Sequence, residues 1–316
     1  MNHLETSFFG KNAFWRYLLM ITAVFAASNL IGGIPLILSL NALKTTDPEM
    51  MGKVAANPGD LSFPGDPNLG LLLMLFPFIA GLAAFILLIK PLNQKSTLRV
   101  INGTGSFRWK RFFIPALVWL IISAVYLFVN LRVDPLNFSL NNTSKTLIPL
   151  ILISLFMIPF QTAFEEIIFR GYMMQGFTVI FNRRWFPLIM TSLLFALMHA
   201  MNPEVKEFGF WTMMPQYMVF GLLFGIITIL DDGIEAAMGV HTANNAFLCI
   251  MVTNESSALQ TPALFEQHNI YPWAEFTTML IMGSLLIIIL GFIFKWRNLT
   301  LLFGEVDRGR NSAQVP

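Results

Sequence analysis

Six residues of types that can do chemistry stand where the chain is otherwise apolar: Glu165, Glu166 and Arg170 in Ile158-Pro-Phe-Gln-Thr-Ala-Phe-Glu-Glu-Ile-Ile-Phe-Arg170, His199 at the end of Phe195-Ala-Leu-Met-His, and His241 with Asn245 in His-Thr-Ala-Asn-Asn245. A charged side chain in the middle of a hydrocarbon layer costs several kcal/mol, about 2.5–3.5 on insertion scales, so such residues are paired or functional. Glu166 and Arg170 are four apart with the acid first, the favourable order for an ion pair on one helix face. Glu165 lies about 100° round the helix from Glu166 and is not matched by that arginine. It is the carboxylate left over. A carboxylate and a histidine beside one water can activate that water, with Glu165 as general base and His199 orienting it or sharing the proton. Burial disfavours the charged form of a carboxylate and so suits such a group to proton transfer near neutral pH. His241 and Asn245, four apart on one face, could donate to the oxyanion formed when water attacks a peptide carbonyl. The chemistry implied is amide hydrolysis, with no serine nucleophile.

The elements that must carry these groups follow from composition. The chain has 316 residues, 55% hydrophobic, 14% aromatic and 12% charged, with a mean hydropathy of +0.65. A soluble domain carries about 25% charged residues. The apolar material falls in blocks near the roughly 20 residues that a helix needs to cross a bilayer. Eight spans are predicted, at 15–40, 69–89, 112–130, 147–169, 186–201, 212–230, 234–252 and 275–294, the fifth short enough to be tilted or partly buried. The fold class is therefore all-α, a polytopic transmembrane bundle forming a single membrane domain over 1–316, with the motifs in a core at about 147–252. No cleaved signal peptide is expected at the N-terminus. The loop Lys90 to Arg111 has six basic residues and no acid, which places it in the cytoplasm, whereas the acidic, Pro- and Gly-rich loop Asn41 to Asn68 reads as outside. Alternating from there, both termini are cytoplasmic, and of the 20 Lys and Arg only Lys44, Lys53, Arg132, Lys145 and Lys206 fall outside.

A formal charge of +2 gives no reason to expect a nucleic-acid partner, and the single cysteine, Cys249, excludes an internal disulfide or thiolate cluster. At 1.5 Å per residue, Glu165, His241, Asn245 and His199 lie about 10–20 Å from the cytoplasmic surface, compatible with one small cavity. Other readings use the same residues. Glu165, His199 and His241 are a possible zinc ligand set with an open water position. A buried Glu/His relay also serves transporters, although neither an internal repeat nor paired interrupted helices is present. A catalytically silent immunity or scaffold protein would keep the fold without the chemistry. The basic loop could bind anionic headgroups or only set topology, and Asp231-Asp232-Gly233 reads as a solvated turn that starts the next helix rather than a cation site.

His-Glu-x-x-His, Gly-x-Ser-Gly and Gly-x-Gly-Asp are absent. Glu165-Glu166-x-x-x-Arg170, Phe195-x-x-x-His199 and His241-x-x-x-Asn245, in that order and each in an apolar span, resemble the three motifs of the CPBP family, the CAAX protease and bacteriocin-processing (Abi) intramembrane glutamic endopeptidases. The match covers roughly residues 147–252. The resemblance implies a helical membrane fold with a cavity between the motif-bearing spans, Glu165 as water-activating base, His199 as its partner, and His241 with Asn245 as oxyanion stabilisers. Glu166 and Arg170 are expected to support the site as an ion pair. It further implies a peptide or protein substrate, prenylated or not, met in or at a lipid bilayer, the bacterial plasma membrane being the expected location. No cofactor is expected on this mechanism, and zinc belongs to the alternative one.

Overall fold

In the computed structural model, residues 3–49, 51–52, 66, 68–141, 143 and 145–308 are described. Much of the acidic loop, including Lys53 and Asp60, and Arg310 in the C-terminal tail lie outside the described residues. The helices are α1 (Phe14–Leu30), α2 (Ile34–Thr46), α3 (Leu69–Asn93), α4 (Thr97–Ile101), α5 (Trp109–Val133), α6 (Leu147–Glu166), α7 (Met174–Ile180), α8 (Trp185–Met198), α9 (Pro203–Phe208), α10 (Phe210–Asp231), α11 (Glu235–Met251) and α12 (Pro272–Phe294). A π-helical turn, Ile167–Met173, joins α6 to α7, so that Leu147–Ile180 runs on as one apolar helical stretch. Three short strands, β1 (Phe138–Leu140), β2 (Val252–Thr253) and β3 (Phe265–Gln267), pair in the order β1-β3-β2, antiparallel then parallel.

Among the described residues, six helical stretches are long and apolar enough to cross a membrane: Phe14–Thr46, Leu69–Asn93, Trp109–Val133, Leu147–Ile180, Phe210–Asp231 and Pro272–Phe294. They coincide with six of the eight expected spans. The other two, 186–201 and 234–252, form the shorter helices α8 and α11, of 14 and 17 residues. At 1.5 Å per residue α8 reaches about 21 Å, less than the ~30 Å of a hydrocarbon layer. These are the helices that bring His199, His241 and Asn245. Protein rather than lipid surrounds α11, which packs on α5, α6 and α10. That position explains how one helix tolerates Glu235, His241, Asn244 and Asn245: polar groups at membrane depth face the bundle interior.

Two of the close approaches that depend on glycine bear on the site. A Cβ on Gly239 of α11 would stand 2.1 Å from the carbonyl oxygen of Phe112, and one on Gly81 of α3 would stand 2.5 Å from the Phe164 ring. The first brings α11 against the backbone of α5. The second seats α3 beside the end of α6 that carries the carboxylates. Outward faces are apolar, with Leu87, Phe113, Ile148, Phe156, Ile281 and Phe292 among the exposed side chains. Such a belt has a partner only in lipid, and the protein is an integral membrane protein.

One end of the bundle is tied by polar contacts between segments far apart in sequence. The His3 backbone N–H donates to Asp232 at 2.7 Å, Lys95 Nζ donates to the Ser7 carbonyl at 3.0 Å, and Arg183 pairs with Glu305 at 2.7 Å. The Asp231-Asp232-Gly233 turn is a hub of this end, not the solvated turn expected: Asp231 pairs with Arg108 and Arg111, and Glu235 meets Arg108 at 2.6 Å. Two acids four residues apart, Asp231 and Glu235, are held by arginines from the basic loop and the start of α5, which tertiary packing alone could arrange.

Candidate active site

Glu165 and Glu166 close α6 just before the π-helical turn. The widened turn begins where Ile167 N–H reaches both Ala163 and Phe164 carbonyls, and π-turns concentrate at functional positions because they rotate the following residues out of register. Arg170 lies within that turn and still reaches back to Glu166, Nη1 donating to Oε1 at 3.0 Å. Both side chains are wholly buried. Arg170 also donates to the Gly221 carbonyl at 3.3 Å and lies 4.2 Å above the Phe195 ring. The ion pair expected from the i, i+4 spacing is present.

Glu166 does more than pair with arginine. The same Oε1 lies 2.8 Å from His241 Nδ1, so an N–H at Nδ1 donates to it and the ring is oriented from behind. His241 Nε2 then faces Glu165 Oε2 at 3.7 Å. The imidazole stands between two carboxylates and stacks on Phe224 at 4.8 Å. Glu165 is not matched by arginine, as expected, but neither is it unbonded: Gln161 Nε2 donates to its Oε1 at 2.7 Å. Its Oε2 is buried and has no protein hydrogen-bond partner.

Asn245 is drawn into the same cluster, its Nδ2 donating to Gln161 Oε1 at 3.0 Å. One of its two amide hydrogens is thereby used and the other is available. His199, at the end of α8, is close by but differently engaged. Its Nδ1 donates to the Phe195 carbonyl at 2.7 Å and its ring stacks on Tyr217 at 4.4 Å. Among the described residues it makes no hydrogen bond to Glu165 or His241; Phe195, 4.6 Å from His199 and 6.1 Å from His241, is the side chain that touches both. The Nδ1 donation fixes the tautomer of a neutral His199 and leaves Nε2 as an acceptor. Tyr217 in turn bonds Asn202 at 2.9 Å and Glu204.

The structure thus brings Glu165, Glu166, Arg170 and His241 into one cluster, joins Asn245 to Glu165 through Gln161, and sets His199 beside them across an aromatic ring. Sequence reasoning missed Gln161, Asn244 and Tyr217. The signal for Gln161 was available, since it lies four residues before Glu165 on the same helix face. Nothing in the sequence pointed to Tyr217. Among the described residues no three His, Cys, Asp or Glu side chains stand close enough together to hold a metal ion, and His241 Nδ1 is turned to Glu166 rather than toward a shared centre.

Charge balance shapes what the cluster can do. Two buried carboxylates face one guanidinium, with the His241 ring between them. With a hydrogen on each ring nitrogen, Nδ1 donates to Glu166 and Nε2 toward the Glu165 side.

The chain is 24% identical over 282 residues to the Bacillus subtilis protein named uncharacterized protein YyaK, covering 88% of this chain and 92% of that one. No solved structure matches the chain. Residues 144–247, which run from the start of α6 past Asn245, match the family described as type II CAAX prenyl endopeptidase Rce1-like. Over residues 144–247, the segment that builds the site in this integral multi-pass membrane protein is therefore similar to the Rce1-like CAAX endopeptidases, in keeping with the resemblance of its three motifs.

Proposed function

We propose that this protein is an intramembrane endopeptidase that hydrolyses a peptide bond with water activated by Glu165, without a metal ion. The observation that carries the reading is the state of the Glu165 carboxylate: one oxygen is held by Gln161, and the other is buried, unbonded to protein and directed at His241. Water donates one hydrogen to Glu165 Oε2 and the other to His199 Nε2, whose lone pair is available because Nδ1 is committed to Phe195. Glu165 takes the first proton as the water oxygen attacks the peptide carbonyl. The tetrahedral oxyanion receives hydrogen bonds from His241 Nε2–H and the remaining N–H of Asn245. Glu165 then passes its proton to the departing amine, the C–N bond breaks, and the carboxylate is restored. Glu166 and Arg170 orient His241 and do not touch substrate.

The family match supports a peptide or protein substrate at the bilayer, and a CAAX-type prenylated tail is the first class to test. The test is cleavage of a peptide library, part of it farnesylated, by purified protein in detergent, with and without a strong chelator, beside Glu165→Gln and Glu165→Ala. We expect cleavage that survives chelator and disappears in both variants while their thermal unfolding stays close to wild type. Normal cleavage by Glu165→Gln refutes the base. Chelator-sensitive cleavage restored by zinc replaces the mechanism with a Glu165/His199/His241 metal site. Absence of any cleavage favours a scaffold or immunity role.

A further inference from the structure

A directed chain of hydrogen bonds crosses three helices and ends on Glu165. The Trp119 indole N–H of α5 donates to Asn244 Oδ1 at 3.2 Å. Asn244 Nδ2 donates to Asn245 Oδ1 at 3.0 Å, Asn245 Nδ2 to Gln161 Oε1 at 3.0 Å, and Gln161 Nε2 to Glu165 Oε1 at 2.7 Å. Trp119 is 1% exposed. No member of the chain has an obvious alternative among apolar neighbours, and each amide uses its oxygen toward the indole and its nitrogen toward the carboxylate.

The two ends are chemically unlike the middle. An amide can be turned over to exchange donor and acceptor, but an indole N–H only donates and an ionised carboxylate only accepts. Reversing the chain would set the Asn244 NH2 against the indole N–H, donor to donor. It would also present Gln161 Oε1 to Glu165, an arrangement that suits only the protonated acid. The polarity is therefore decided at Trp119 and delivered at Glu165 as a donated hydrogen bond, which favours the charged form. Cooperative polarisation along such a chain strengthens each bond over an isolated one.

We infer that Trp119, Asn244, Asn245 and Gln161 form a positioning relay that holds Glu165 as a hydrogen-bond acceptor, with Oε1 engaged and Oε2 turned toward His241. The inference rests on the reading of Glu165 as the base. Trp119 and Asn244 touch no reacting atom and act through the others. Asn245 joins the relay to the proposed oxyanion site, because the hydrogen bond it gives Gln161 sets where its second N–H points.

Other groups within electrostatic reach of Glu165 are Arg170 from its own helical stretch, His241 from α11 and Tyr217 from α10, with Glu166 next to it in sequence and His199 of the α8 end stacked on Tyr217. The charged residues of α3 and α5, namely Lys90, Lys110, Arg111 and Arg132, are at the helix ends, and Tyr126 of α5 faces Glu275. None of these reads out the indole. Trp119→Phe therefore isolates the relay, keeping the ring and removing only the donor.

The test compares wild type with Trp119→Phe, Asn244→Leu and Gln161→Leu in detergent. One arm is the rate-against-pH profile for a farnesylated quenched-fluorescence peptide. The other is the infrared band of protonated carboxyl groups across the same pH series, as a difference from Glu165→Gln, which needs no substrate. We expect the acid limb of the rate profile and the Glu165 band to move toward neutral pH. Acid-limb kcat should fall about threefold in Trp119→Phe and about tenfold in Gln161→Leu, each more than on the plateau. Asn244→Leu neither accepts from Trp119 nor donates onward and adds no charge, so it should follow Trp119→Phe. Should Trp119→Phe not fold, Asn244→Leu decides. Infrared titrations that superimpose on wild type in the folded variants overturn the relay. A uniform drop in kcat at every pH with an unmoved band does so too, leaving only a packing role. A wild type that cleaves nothing overturns the base reading, while the infrared arm still decides the relay.

Discussion

Replacing Arg170 with methionine tests whether the buried pair is what holds the cluster. Arg170 has no solvent exposure, pairs with Glu166 at 3.0 Å, donates to the Gly221 carbonyl and lies over Phe195. Methionine keeps much of the volume and the contact with Phe195 but removes the charge. Glu166 is then a wholly buried carboxylate whose remaining partner is His241 Nδ1 at 2.8 Å. Removing one member of a buried pair costs about 3–5 kcal/mol because the other charge is left uncompensated. Replacing both members with uncharged groups avoids that penalty, so Glu166→Gln combined with Arg170→Met should recover at least about 1 kcal/mol relative to the sum of the single variants. The assay is denaturant unfolding in mixed micelles for the four members of the cycle, with cleavage measured in parallel. Cleavage should fall in Arg170→Met and in the double variant, because in the first Glu166 loses the guanidinium that fixes it against His241, and in the second the carboxylate that orients His241 is gone as well. A cost below about 1 kcal/mol for Arg170→Met, or strictly additive single variants, would refute the argument that Glu166 is held charged by Arg170.

Two further expectations concern the frame. Gly239→Ala puts a methyl 2.1 Å from the Phe112 carbonyl oxygen, so α11 must move from α5; the expected cost is about 1–3 kcal/mol with reduced cleavage. Gly291→Ala, where a Cβ meets nothing within 4 Å, is the control and should be neutral or slightly stabilising in the same thermal scan. At the tied end of the bundle, burial and nearby Arg99 push the Lys95 ammonium down to about 7 from its ordinary 10.5. Folded protein gives up that proton near pH 7 whereas unfolded chain keeps it to about 10.4, so stability should rise with pH across that window and be lowest below it. Thermal midpoints from pH 6.5 to 10 should show the rise in wild type and a flatter profile in Lys95→Met; equal slopes would remove Lys95 as the cause.

Much of the frame was legible because hydrophobic block length is a local property. Leu69–Asn93, Trp109–Val133 and Pro272–Phe294 are apolar through most of their length, and a bilayer admits such segments only as helices. The chain positions of α8 and α11 were equally visible, and so was the shortness of α8, but not the shortness of α11 or its shielding by its neighbours. The three-stranded sheet was not legible at all. Its strands have two or three residues each, too few for alternation to register, and β1 lies more than a hundred residues from β2 and β3.

Within one helix, sequence determined a good deal about the site, because 3.6 residues per turn fixes which side chains share a face. Glu166 with Arg170, and the absence of an arginine for Glu165, follow from spacing alone. Gln161 beside Glu165 obeys the same rule. What belongs to two helices at once was decided only by tertiary structure. His241 between Glu165 and Glu166, Asn245 on Gln161, Trp119 on Asn244, and His199 against Tyr217 depend on the rotation and height of α11, α5, α8 and α10 relative to α6. Those are set by ridges, small residues such as Gly239, and the widened turn at Ile167–Met173. A rotation of α11 by one residue, about 100°, would leave its sequence and helicity unchanged and carry His241 away from both carboxylates.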